Sequence, residues 1–317
     1  PAKARTMAQR MMKMVTSQLI NVKDVACRVE SKKVVEILSP VVPSALNKIS
    51  KDLKVGWTMN IPAVFGPAVS TADRFIETFT VKMQNNITDI LDLEEMVVRA
   101  MVQNKKLLVE LFQECGRKEL SFIVRTGLYF GFLLGIFQMG VWLVWDPWWS
   151  LAVGGALVGY ITNLIAIKSI FEPVEPIMIG PWKIQGLFLT RQNEVSKLFA
   201  AFLRSRVLTA DAIWNEILFG SRREVFDRML MDHIDSYIGR FVSQRALGMK
   251  KEEMYQLIAE RLRETLVNDR RALCDYMDAV LQLETEMTEK MKKMSSKQFE
   301  HVLHPIFQED ELTLILV

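Results

Sequence analysis

Apolar positions are distributed unevenly along the chain. Between Arg125 and Asp146 runs TGLYFGFLLGIFQMGVWLVW, and between Asp146 and Lys168 runs PWWSLAVGGALVGYITNLIAI, twenty and twenty-one residues without a charge. A hydrocarbon core about 30 Å thick needs roughly 20 apolar residues at 1.5 Å rise each. Both windows therefore predict membrane-spanning helices, over about 122–145 and 148–167. The competing reading is a hairpin buried in a large soluble core, which would have to hold two uncharged windows in tandem. Only Asp146-Pro147 and the neighbouring tryptophans separate the windows, so the spans are expected to form a tight antiparallel hairpin. Trp142, Trp145, Trp148 and Trp149 cluster at that turn, as an aromatic belt at a headgroup interface would.

Outside these windows the period is helical. Val195, Leu198, Phe199, Phe202 and Leu203 recur at the spacing of one helix face, and Met254, Leu257, Ile258 and Leu262 continue it. Gly220, Gly239 and Gly248 punctuate separate helices. Residues 1–119 read as helices too, interrupted between Pro40 and Pro67 by a Pro- and Gly-bearing irregular connector. Pro173, Pro176 and Pro181 exclude a regular helix over 171–191, whose Ile, Met, Trp and Phe suit a membrane interface. Residues 311–317 turn apolar again, and HVLHPIFQEDELTLILV echoes LVELFQECGRKELSFIV before the first span, so a further membrane helix is expected to begin there.

The predicted fold class is mainly α, a transmembrane helical hairpin with long amphipathic helical extensions on one side of the membrane. Its regions are a helical extra-membrane part with a basic start (1–119), the hairpin (120–170), the Pro-rich interfacial segment (171–191), a second helical extra-membrane part (192–310) and the start of a further span (311–317).

Composition narrows the function class. Of 317 residues, 50% are hydrophobic and 24% charged, too apolar for a disordered chain and too charged for a polytopic membrane protein. A net charge of +3 argues against nucleic acid as a partner. The charges are nonetheless segregated. Residues 1–54 carry eleven Lys and Arg against four Asp and Glu, a face for an anionic membrane surface or for a protein partner. Lys105, Lys106, Arg117, Lys118 and Arg125 precede the hairpin, and Lys168, Lys183, Arg191 and Lys197 follow it. By the positive-inside tendency both flanks lie on the cytoplasmic, stromal or matrix side of a bacterial inner membrane or an organelle membrane. The first residue is Pro rather than Met, so a targeting sequence is expected to lie outside this chain.

Catalytic and metal signatures are sparse. Cys27, Cys115 and Cys274 are scattered without C-x-x-C spacing. His301 and His304 stand one helical turn apart, but Pro305 follows at once and spacing fixes no third ligand, so no metal is expected. Asp232, His233 and Asp235 read as a solvated helix face. No P-loop, dinucleotide fingerprint, nucleophile elbow or H-E-x-x-H occurs, and neither an enzymatic activity nor a cofactor is expected.

Within the hairpin, Gly127, Gly131 and Gly135 share one face of the first span, and Gly155 and Gly159 share one face of the second. Small residues at this spacing let helix backbones approach closely in lipid. They are expected either to join the two arms or to meet a neighbouring subunit. Gln138, Thr162 and Asn163 are the intramembrane polar residues, and Asn163 should bond within a bundle or line a wet path.

The segment GALVGYITNLIAIKSIFEPVEP, followed by IQGLFLTRQNEVSKLFA, resembles the signature of domain-of-unknown-function family 445, an uncharacterised integral membrane protein family. The matching positions are Gly155, Gly159, Thr162, Asn163, Ala166, Ile167, Phe171 and Pro173, then Gln185, Gly186, Arg191 and Gln192. The resemblance covers about residues 107–205, extends to the C-terminus, where HPIFQEDELTLILV resembles the stretch before the family's closing membrane helix, and is thin over residues 1–100. It implies an integral membrane protein with a helical soluble portion, and it brings no assigned activity, cofactor or catalytic residue. With the residues themselves it suggests a non-enzymatic anchor, scaffold or assembly subunit, with membrane lipids and either other complex subunits or a homo-oligomer as partners. The alternative is an oligomeric transport or lipid-handling membrane protein.

Overall fold

The computed structural model describes residue 9 and residues 12–13, 15–52, 61–144, 149–238 and 251–303. Among these the chain is mainly α. In chain order the first helices are α1 (Val22–Ala26), α2 (Ser31–Leu38), α3 (Val42–Asp52), α4 (Ile61–Asn85), α5 (Ile87–Ile90) and α6 (Leu93–Gln103). The long helices α7 (Lys105–Val144) and α8 (Ser150–Phe171) come next, then the strands β1 (Ile177–Ile179) and β2 (Trp182–Ile184). Then follow α9 (Leu187–Thr190), α10 (Gln192–Arg206), α11 (Ala210–Phe219), α12 (Arg223–Ile238), α13 (Lys251–Asn268), α14 (Arg271–Leu281) and α15 (Leu283–Lys293).

These elements sort into two compact units that interleave along the sequence. The hairpin unit takes the described residues within 1–19, 97–206 and 284–317, and the cavity unit takes those within 20–96 and 207–283. The two parts of the chain that flank the hairpin in sequence are therefore mixed. Each half contributes to both units.

In the hairpin unit, α7 runs unbroken for 40 residues, about 60 Å at 1.5 Å per residue. The first span and the helix that leads into it are thus one element, joined through Arg117, Lys118 and Arg125. Both α7 and α8 contain stretches long and apolar enough to cross a membrane. Their large apolar side chains face outward: Val124 is 73% exposed, Phe137 72% and Val144 90%. A soluble core would have buried them, so the soluble-hairpin reading fails.

Two irregular segments turn out to be ordered. In the stretch from Pro40 to Pro67, α3 begins at Val42 with Pro43 second, and α4 begins at Ile61 with Pro62 second. Proline is tolerated in a first turn because the N–H it lacks has no intrahelical acceptor there. Pro67 lies further inside α4, and residues 53–60 are outside the described part. In the Pro-rich segment, Ile177 pairs with Ile184 and Ile179 with Trp182, making a two-stranded antiparallel hairpin. Its two-residue turn, Gly180-Pro181, needs a positive φ, and Gly180 supplies it at 60°. The prolines forbade a helix, as expected, yet left room for three residues of strand on each side. The expected membrane helix at 311–317 lies outside the described residues.

Candidate functional site

The family-motif residues converge at the foot of the hairpin. Phe171, the last residue of α8, is buried, and its ring lies 5.8 Å from that of Phe188 on α9. Phe188 in turn stacks on Phe299 at 5.7 Å, so three aromatic rings tie the end of a span to a distant part of the chain. Gly186 sits where a Cβ would lie 2.7 Å from the carbonyl oxygen of Ile170 and from the carbonyl carbon of Phe171. Only glycine fits there, and its N–H donates to the Pro173 carbonyl at 3.0 Å. Gln185 Nε2 donates to the Val174 carbonyl at 3.1 Å and to Ser296 Oγ at 2.9 Å. Gln192 Nε2 donates to the carbonyls of Met291, in the last turn of α15, and of Met294 just beyond it, and so ties down the end of that helix.

Arg191 is the electrostatic centre of this knot. It donates from Nη1 to Glu119 on α7 at 2.5 Å and from Nη2 to Glu194 on α10 at 3.0 Å. Lys118 adds a bond to Glu194 at 2.8 Å. Glu119 is buried, and its Oε2 meets no hydrogen-bond partner among the described residues. The bond from Arg191, then that from Lys118, holds the Glu194 carboxyl at about 2, well below its ordinary value. Burial opposes the charge on Arg191, but its bonds to Glu194 and Glu119 outweigh that and raise its pKa. This arrangement fastens α7 to α10.

In the hairpin, a Cβ at Gly127, Gly131, Gly135, Gly155 or Gly159 would meet nothing within 4 Å, so among the described residues no backbone approaches closely at these positions. The two arms come close where the Gln138 side chain lies across Gly154, a glycine outside both stripes. Thr162 is buried, Asn163 is half-buried, and Thr162 Oγ1 has no hydrogen-bond partner among the described residues. Trp142 and Trp149 are both 42% exposed, whereas Trp145 and Trp148 lie outside the described residues.

The cavity unit holds a feature the sequence did not announce. Its helices line a partly open apolar cavity of about 300 Å³, walled by residues such as Ala45, Ile76, Phe79, Ile217, Ile258 and Met277. No wall residue among those described is charged. The polar groups in the wall spend their donors on the protein. Gln84 Nε2 bonds the Ala26 and Val29 carbonyls, Thr80 and Thr265 bond back to Ile76 and Arg261, and Trp214 Nε1 reaches Met277 Sδ. Among the described residues the wall therefore offers hydrocarbon, its polar groups being bonded within the protein.

His233 borders this region and corrects the sequence reading of a solvated face. It is only 7% exposed, its ring lying 4.6 Å from that of Phe75 and 5.1 Å from that of Phe79. Burial lowers its pKa, and its hydrogen bond with the Phe75 carbonyl only partly opposes that. Asp235 accepts from the Tyr255 hydroxyl, whereas Asp232 is exposed as expected. Both halves of the sequence build this unit. Arg28 donates to the Leu281 carbonyl at 2.8 Å, and Arg222 donates to the Thr88 carbonyl at 2.6 Å and to Asp92 at 3.1 Å.

The relatives agree with the exposed hairpin. The chain is 33% identical over 78 residues, 24% of its length, to a UPF0754 membrane protein of Synechococcus elongatus. It is 33% identical over 87 residues (26%) to one of Staphylococcus carnosus and 36% identical over 84 residues (26%) to one of Shouchella clausii. This chain is a membrane protein. The matches span only 18%, 23% and 21% of those relatives' own lengths, so they speak to a segment. No family model and no solved structure matches the chain.

The knot was partly visible in advance, because Phe171, Pro173, Gln185, Gly186, Arg191 and Gln192 all belong to the motif. Glu119, Glu194 and Phe299 were not singled out. A lone Glu among Lys and Arg carries no mark of burial. The cavity had no local signal either, since its walls are ordinary helix-face residues from both halves of the chain.

Proposed function

We propose that the protein is a membrane-anchored, non-enzymatic lipid-handling protein whose cavity unit takes up the hydrocarbon portion of a lipid. The observation that carries this reading is the uncharged cavity of about 300 Å³. An apolar space of this volume favours an apolar occupant over water, which would find few polar partners there. Its size falls at the lower end of ligand sites, about 300–1,000 Å³. Because every polar wall group described above is already bonded within the protein, a polar ligand would lose its hydration without recompense, whereas an acyl chain loses nothing. The membrane hairpin supplies a local source of such chains.

Membership of family 445 belongs to this proposal, supported by the convergence of its motif residues on one knot. So does placement of the extra-membrane parts on the cytoplasmic, stromal or matrix side, supported by the Lys and Arg at both feet of the hairpin.

The test is photocrosslinking of a diazirine-bearing palmitate to the full chain in mild detergent, followed by peptide mapping. Label is expected on cavity-wall peptides from α3, α4 and α13. Ala45→Phe, which fills the cavity from a buried wall position, should cut that labelling by about tenfold, equivalent to roughly 1.4 kcal/mol, while helicity stays unchanged. Label confined to α7 and α8 would overturn the proposal.

An anchoring or assembly role is the second reading, favoured by the glycine faces that meet nothing within 4 Å in the single chain. Backbones of a neighbouring subunit can approach closely there. Gly131→Leu or Gly159→Leu should then shrink the detergent-extracted particle without impairing insertion. A particle of unchanged mass in both variants would remove this reading.

A further inference from the structure

The short β-hairpin stands beside the membrane-crossing helix with its apolar side chains uncovered. Ile177 is 52% exposed, Met178 65% and Ile184 42%, on a hairpin with three paired positions. A lone two-stranded hairpin is marginal in water, and one that shows three large aliphatic side chains to water is worse. Register explains how these side chains are arranged. Ile177 and Ile184 are paired, so they share one face, while Met178 and Lys183 share the other.

The Ile177/Ile184 face looks onto the last turns of α8. Between them lies a groove of about 470 Å³, walled by Leu164, Ile165, Lys168 and Ser169 on the helix and by Ile177 and Ile184 on the hairpin. One wall of this groove is the membrane-crossing stretch Ala152–Phe171 itself. Its aliphatic walls are thus continuous with a surface that the bilayer covers. Both ends of the site are polar. Lys168 and Glu172 stand 3.7 Å apart at the foot of α8, and Lys183 is exposed on the outer face. Glu172 and Glu175 balance the two lysines, which removes any demand for an anionic headgroup.

We propose that the β1–β2 hairpin lies in the membrane interface and that its groove against α8 seats the acyl chain of a bilayer phospholipid. The hairpin then acts as a foot at the base of the second span. This inference concerns the hairpin unit alone and stands whatever fills the cavity.

The test uses the full chain in phosphatidylcholine nanodiscs, with Cys27, the exposed cysteine, replaced by Ser and a fluorophore attached through Met178→Cys. Because Met178 is largely exposed, labelling there leaves the packing intact. The label should lose about half of its emission or more to phosphatidylcholine bearing a nitroxide at carbon 5, and less than about a tenth to aqueous iodide, as an interfacial residue would. Free quenching by iodide, with no effect of the nitroxide lipid, would overturn the placement. For the groove, Ile165→Trp fills the volume from a half-exposed position on α8. Native mass spectrometry should then show one tightly retained phosphatidylcholine fewer than in the unsubstituted chain. An unchanged lipid count would overturn the groove assignment.

Discussion

Arg191→Ala should unfold the hairpin unit far more readily than any surface substitution. The Glu119 side chain is only 3% exposed and that of Arg191 13%, so removing the guanidinium strands a buried carboxylate. Breaking a buried pair from one side costs about 3–5 kcal/mol, because the remaining charge keeps its desolvation penalty and loses its compensation. Over a unit of this size that corresponds to a fall of roughly 10 °C in the unfolding midpoint. Arg191→Lys should recover only part of the loss, since one ammonium cannot bond both Glu119 and Glu194 as the forked guanidinium does. Arg191→Ala combined with Glu119→Gln should recover more than half, because the stranded charge is gone. Thermal unfolding of the detergent-solubilised protein, followed by circular dichroism, reads all three. Equal midpoints for the single and double variants would show that the charge at Glu119 is not what Arg191 holds in place.

Phe188→Ala should cost a similar amount by a different route. Phe188 is fully buried between Phe171 and Phe299, and truncating a buried phenylalanine costs about 3–5 kcal/mol in lost transfer energy and cavity. The damage should be local to the base of the second span. Proteolysis should accordingly open sites within 171–191 and 296–303 first, with the cavity unit keeping its protection. Phe188→Leu, nearer in volume, should recover most of the stability. Simultaneous loss of protection in both units would mean that the aromatic stack supports more than the hairpin unit.

The knot and the cavity differ in how they could have been found. Gly186, Arg191 and Gln192 were marked by the family resemblance, and the structure gives each a mechanical reason. Gly186 has backbone 2.7 Å from where a Cβ would stand, Arg191 bridges two helices, and Gln192 ties down the end of α15. Glu119, their partner, lies 72 residues from Arg191 in sequence and has no local pattern to mark it. The glycine stripes show the converse. Their spacing was legible, but spacing says only that small residues share a face, not what that face meets. Gly154, not part of either stripe, is the one that lies against Gln138.

The sequence by itself determined the helical class, the two long apolar helices, and the exclusion of helix between Pro173 and Pro181. Each follows from a local rule: a run of uncharged residues long enough for a bilayer, a period of 3.6 residues, or a ring that removes a donor. The tertiary structure decided the interleaving of the two halves, the burial of Glu119 and His233, and the cavity. Those depend on contacts such as Arg28 with Leu281, 253 residues apart, or Phe75 with His233, 158 apart. A helix face announces that it will be buried. It cannot say against which partner, or whether the partners will close over the space between them.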